Sequence, residues 1–194
     1  MTSSMTHAAR ETEIKLAVPD VRTARGLLRA AGFRVSKRRV FETNTVFDTP
    51  ELGLRRAATL LRVRQAGGVA TVTYKGPPDV GRYKSREELE LEISDARVMA
   101  AIIERLGLGA VFRYHKYRTE YRQPSRAGVA TLDETPAGVY LELEGTPNWI
   151  DRAARKLGFA EDDYITASYA RLWLDWCEWH GLGAVDMVFS DRVR

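Results

Sequence analysis

Ser85-Arg86-Glu87-Glu88-Leu89-Glu90-Leu91-Glu92-Ile93 sets charge at alternate positions from Arg86 to Glu92 and aliphatic side chains between the last of them. Side chains of a strand point alternately to its two faces. A strand here therefore carries Arg86, Glu88, Glu90 and Glu92 on one side and Leu89, Leu91 and Ile93 on the other. A half-buried strand ordinarily mixes Thr, Ser and Gln with charge on its wet face. This one offers charge alone.

The same reading repeats along the chain. Glu11, Glu13 and Lys15 share a face, with Ile14 and Leu16 opposite. Arg62 and Arg64 oppose Leu61 and Val63; Thr71, Thr73 and Lys75 oppose Val72 and Tyr74. Lys116, Arg118, Glu120 and Arg122 oppose Tyr117, Thr119 and Tyr121; Thr131 and Asp133 oppose Leu132; Glu142 and Glu144 oppose Leu141 and Leu143. Like charges on one face repel. A sheet that tolerates both clusters is expected to hold counter-charges there, cations for the carboxylates and phosphates for the Lys and Arg. Curling the sheet turns that face inward as a polar barrel and leaves the apolar faces outside, under amphipathic helices.

The expected strands are Glu11 to Val18, Val40 to Phe47, Thr59 to Gln65, Val69 to Lys75, Ser85 to Ile93, Phe112 to Gln123, Val129 to Asp133 and Val139 to Glu144. Gly67-Gly68 marks a hairpin. Helices are expected after Asp20 and Asp95, closed by Gly32 and Gly107, after Thr146-Pro147, and from Ala167 to His180. Most strand links are too short for parallel crossovers, so the fold class is α+β with an antiparallel sheet. One domain is expected, with its core at about residues 9 to 175 and a tail at 181 to 194 that either packs on a sheet edge or stays free.

Composition narrows the function classes. A net charge of +4 without a Lys/Arg run gives no nucleic-acid arm and no membrane-binding patch. Met1 to Arg10 lacks the apolar centre of a signal peptide, and the lone Cys177 suits a reducing compartment. A cytoplasmic location is expected. His7, His115 and His180 are scattered, which disfavours zinc. Trp149, Trp173, Trp176 and Trp179 read as helical packing residues, with a partner surface as the alternative for Trp176 and Trp179.

The ordered set Glu11-Thr12-Glu13-Ile14-Lys15, Leu61-Arg62-Val63-Arg64, Thr73-Tyr74-Lys75-Gly76-Pro77, Arg86-x-Glu88-x-Glu90, Lys116-x-Arg118, Asp133, Glu142-Leu143-Glu144 and Ser168-Tyr169 resembles the CYTH family of triphosphate tunnel metalloenzymes. The resemblance implies an eight-stranded antiparallel tunnel flanked by helices, and a triphosphate-containing small molecule bound with Mg²⁺ or Mn²⁺. It implies metal ligands Glu11, Glu13, Asp133, Glu142 and Glu144. It implies phosphate ligands Lys15, Arg62, Arg64, Lys75, Lys116 and Arg118, and catalytic roles for Lys15, Arg86, Glu88 and Glu90. A homodimer is the family-level expectation. The expected activity is metal-dependent triphosphate hydrolysis. The alternatives are an adenylate cyclase of class IV type and a binder of polyphosphate or nucleotide without catalysis. The chain departs from the cyclase signature at Met5-Thr6, where His-Phe would stand. It also lacks the tunnel-mouth Trp of animal thiamine triphosphatases near Thr59 and Leu60.

Overall fold

The computed structural model describes residues 9–125, 127–183 and 185–189. His7 and the last five residues of the expected tail lie outside them. Eight strands follow the chain: β1 (Ala9–Val18), β2 (Arg34–Asp48), β3 (Leu60–Ala66), β4 (Val69–Lys75), β5 (Lys84–Ile93), β6 (Gly109–Arg122), β7 (Gly128–Thr135) and β8 (Gly138–Gly145). They close into a barrel in the order β1-β5-β4-β3-β2-β6-β7-β8, and every pairing is antiparallel. The expected tunnel is the observed fold.

Helices α1 (Val21–Ala30), α2 (Gly53–Arg56), α3 (Ala96–Arg105), α4 (Pro147–Lys156) and α5 (Tyr169–Trp179) lie around it. Asp20, Asp95 and Ser168 cap α1, α3 and α5 by accepting from backbone N–H groups of the first turn. Thr146 stands at the N-cap of α4 but makes no side-chain cap bond, and Pro147 supplies the first turn. Gly67 and Gly68 take φ of 54° and 89°, the left-handed values that a tight β3–β4 hairpin requires.

The apolar faces point outward, as the charge pattern implied. Ile14, Leu16, Leu132, Leu141 and Leu143 pack beneath Leu28 of α1, Ile150 and Ala153 of α4, and Leu157 at the C-cap of α4. Ile103 of α3 covers Phe47 and Val63. The covering is incomplete: Leu89 and Leu91 on the outer face of β5 remain 42% and 50% exposed, against the expectation that helices cover these faces. Trp149 and Trp173 are packed, whereas Trp179 is 86% exposed and is not a packing residue.

Two elements differ from expectation. Strand β2 begins at Arg34 instead of Val40; its first residues are polar and its register on β6 shifts twice before Val40, so no clean alternation marks it. The single turn of α2 was not expected. Asp48 builds it by accepting from the backbone N–H groups of Thr49, Leu54 and Arg55. In the tail, Met187 forms a parallel bridge with Tyr114 of β6 and is fully buried, so this stretch packs on a sheet edge.

Candidate functional site in the barrel interior

The interior is a cavity of about 1480 Å³. Glu11, Glu13, Lys15, Arg62, Arg64, Lys75, Arg86, Glu88, Glu90, Lys116, Arg118, Glu142 and Glu144 all line it. Residues as distant in sequence as Glu11, Arg64, Lys116 and Glu144 thus meet on the wall of one cavity. Register explains the convergence. Glu13 lies opposite Lys84 on β5 and Glu144 on β8, Lys15 opposite Glu142, Lys75 opposite Glu88, and Arg118 opposite Asp133. Tyr114, Tyr140, Tyr169 and Trp173 pack with Met187 in an aromatic layer that borders the cavity through Tyr114, Tyr169 and Trp173.

Each cation is held by carboxylates. Lys15 Nζ sits 3.3 Å from Glu13 and 3.2 Å from Glu142. Lys75 pairs with Glu11 and, at 2.9 Å, with Glu88. Arg64 donates to both oxygens of Glu90 at 3.1 Å. Arg118 bridges Asp133 and Glu142. Asp133 is not on the cavity surface. It is completely buried and accepts from Lys116 at 2.9 Å, from Arg118 at 2.7 and 2.5 Å, and from the Tyr169 hydroxyl at 2.7 Å. Its oxygens aim two cations into the tunnel.

The acidic groups are unequally compensated. Burial pushes the Glu11 carboxyl up to about 7; Lys75 offsets part of this, and Glu13 adds to it. Burial also raises Glu144, which faces Glu13 and Glu88. Burial opposes ionisation of Glu13 and Glu142 as well, but Lys15 and Lys84 beside Glu13, and Arg118 and Lys15 beside Glu142, hold both below the usual carboxylate range. Lys84, buried and close to Lys15, is lowered to about 8. Among the described residues, no three His, Cys, Asp or Glu side chains already stand together as a metal cage. The carboxylates are drawn onto Lys and Arg instead.

Several buried atoms on the inner wall have no hydrogen-bond partner among the described residues: Glu42 Oε2, both side-chain atoms of Asn44, Arg62 Nε, Thr71 Oγ1, Arg86 Nε and Thr131 Oγ1. An unmade bond of this kind costs about 1–3 kcal/mol. Such a wall suits a polar occupant. Sequence reading missed Glu42, Asn44, Lys84 and Tyr114. Lys84 shares the face of Arg86 two residues on, and Glu42 and Asn44 share one within an expected strand; the period-two rule would have found all three.

The sequence pattern of the CYTH domain matches residues 9–169. A protein of Methanocaldococcus jannaschii, named as a candidate adenylate cyclase, is 30% identical over 173 residues, covering 84% of this chain and 97% of that protein. The PH1012 protein of Pyrococcus horikoshii superposes with a TM-score of 0.73 at 25% identity, covering 84% of this chain and 98% of its own. A Hippeastrum protein described as having a dominant triphosphatase activity shares the fold, with a TM-score of 0.63 at 20% identity over 90% of this chain and 97% of that one. With the tunnel geometry and a match across most of its length, the chain belongs to the CYTH domain family.

Proposed function

We propose that the barrel binds a triphosphate and hydrolyses it with the help of a divalent cation. The observation that carries this reading is the tunnel wall of Lys, Arg and Glu, on which several buried polar atoms have no protein partner among the described residues. Arg forks and Lys ammonium groups form charge-assisted bonds with phosphate oxygens. In this reading Arg62, Arg64, Lys116 and Arg118 grip the phosphates along one side, and Lys75 and Lys15 along the other.

The donor set fits a hard cation. Glu11 and Glu144 are the carboxylates least compensated by protein cations, and Glu13 lies directly opposite Glu144. Oxygen-only ligands favour Mg²⁺ or Mn²⁺. Glu11, Glu13 and Glu144 would hold the ion, with Glu142 joining by releasing Lys15 or Arg118. Asp133 could join only by giving up Lys116, Arg118 and Tyr169, so we assign it to aiming the cations. When bound, the ion would neutralise phosphate oxygens and polarise water. The protein's share is positioning and electrostatics. Lys15, whose charge Glu13 and Glu142 reinforce against burial, would stabilise charge on the leaving phosphate, while Arg86, Glu88 and Glu90 complete the wall and orient the reacting groups. A cytosolic setting follows from this substrate class and agrees with the free, buried Cys177. Among the described residues no helix is long and apolar enough to cross a membrane.

The name of the Methanocaldococcus relative supports a second reading, cyclisation of ATP with loss of pyrophosphate. Purified protein supplied with Mg²⁺ or Mn²⁺ and inorganic triphosphate, ATP or thiamine triphosphate separates the readings. Orthophosphate release supports hydrolysis and cyclic AMP supports the cyclase. Tight binding without either product would leave a binder and overturn both enzymatic readings.

A further inference from the structure

Lys84 opens β5, two residues before Arg86, and stands outside every motif that carries the family resemblance. It lines the cavity and is 9% exposed. Lys15, Arg86 and Lys75 are its cationic neighbours. A buried ammonium in such company is costly unless a carboxylate compensates it.

That compensation is thin. Lys84 Nζ lies 3.5 Å from Oε1 of Glu13, the residue opposite it on β1. Lys15 Nζ approaches the same oxygen at 3.3 Å, so two ammonium groups converge on one acceptor. Lys15 has a second carboxylate, Glu142 at 3.2 Å. Lys75 also has two, Glu11 and Glu88. Among the described residues, Lys84 has only Glu13 within 4.0 Å. Arg86, 4.0 Å from Glu11, is held as loosely, but it already belongs to the motif set.

Glu13 is one of the three carboxylates placed above around the divalent cation. An ion that takes its oxygens competes with both ammonium groups. Lys15 keeps Glu142, and Lys75, beside Glu11, keeps Glu88. Lys84 keeps no carboxylate and gains a divalent cation as a neighbour. Like charges so close in a partly dry site repel strongly. An anion between them relieves the repulsion, and the proposed substrate supplies one in its phosphate oxygens.

We propose that Lys84 is a further phosphate ligand, released from Glu13 when the cation binds, so that cation and triphosphate bind cooperatively through it. This role rests on the reading above that the barrel takes a triphosphate with a divalent cation. In the free protein Glu13 holds Lys84, which then adds little to triphosphate binding. With Glu13 on the ion, Lys84 turns on its flexible four-carbon stem and donates a charge-assisted bond to a phosphate oxygen. The coupling is reciprocal: whatever the cation adds to triphosphate affinity, triphosphate adds to cation affinity.

The test is calorimetry at neutral pH on wild type, Lys84→Met and Lys84→Arg. Three affinities are measured: Mn²⁺ alone, a non-hydrolysable imido analogue of inorganic triphosphate in EDTA, and the same analogue in saturating Mn²⁺. In Lys84→Met, Mn²⁺ alone should bind more tightly, because a competitor for Glu13 is gone. Affinity for the analogue in Mn²⁺ should fall about 10- to 100-fold, the contribution of one bond to a charged group, and fall markedly less in EDTA. Lys84→Arg, which keeps the charge, should retain most of the coupling, and Lys84→Gln reads the same predictions should Lys84→Met fail to fold. Equal losses in Mn²⁺ and in EDTA, or no gain in affinity for Mn²⁺ alone, would overturn this role while leaving the triphosphate reading intact. A wild type that binds the analogue under neither condition would overturn both.

Discussion

Replacing Asp133 by Asn tests whether the buried ion network is what aims the cations. The substitution keeps shape and volume but turns one acceptor oxygen into a donor NH₂ group, opposite four bonds donated by Lys116, Arg118 and Tyr169. Breaking a fully buried charge pair costs about 3–5 kcal/mol, because a charge is left without compensation. Lys116 retains Glu42 at 3.7 Å and Arg118 retains Glu142, so the low end applies, about 3 kcal/mol. For a chain of this size each kcal/mol moves the melting temperature by about 2–4 °C. The expected drop is therefore about 6–12 °C, with a lower urea midpoint at unchanged slope. Tyr169→Phe, which removes one donor and leaves the charge pairs, should cost only about 1 kcal/mol. A melting temperature for Asp133→Asn within about 2 °C of wild type would refute the view that Asp133 is an essential counter-charge; by the same conversion that is below 1 kcal/mol.

Arg64→Ala removes a fork that in the free protein holds Glu90. A bond to a charged group contributes about 1.5–3 kcal/mol, so KM for triphosphate should rise roughly ten- to hundredfold; an unchanged KM and kcat would exclude Arg64 from the site. Gly128→Ala would set a Cβ 2.5 Å from the Trp149 ring, and nothing in that packed layer can yield cheaply. Overpacking should cost about 1–3 kcal/mol in a thermal melt, and an unaltered melt would show that the Trp149 contact is misplaced. Tyr164 is raised to about 12 by burial and by its hydrogen bond to Asp151. Its folded pKa lies above the unfolded value, so its contribution is complete below pH 10 and is lost as pH rises towards 12. Burial also raises Tyr169, Tyr83 and Tyr140, so absorbance titration of phenolate should show several late-titrating tyrosines and one fewer in Tyr164→Phe; a late phase of the same amplitude in the two proteins would contradict this.

The barrel was legible because seven of its strands alternate charge with apolar residues strictly enough to fix which face turns inward. The inward face was the more informative one, since like charges at i, i+2 demand partners that only closure supplies. What escaped reading was local or depended on neighbours. The first residues of β2 hide in a polar run whose register shifts. The turn of α2 depends on three backbone bonds to a single Asp48 side chain. The saturation of Asp133 could not be seen either, because its three donor residues reach it from a neighbouring strand and from α5, and the sequence placed it simply among the acids. Lys84, Glu42 and Asn44 were within reach of the alternation rule.

Diffraction from crystals soaked with Mn²⁺ and a non-hydrolysable triphosphate addresses the central claim most directly, since manganese is located by its anomalous signal. The account predicts a manganese peak inside the barrel against Glu11, Glu13 and Glu144, and phosphate density against Arg62, Arg64, Lys116 and Arg118. Density for either on the outer surface, with the interior ion pairs undisturbed, would contradict it.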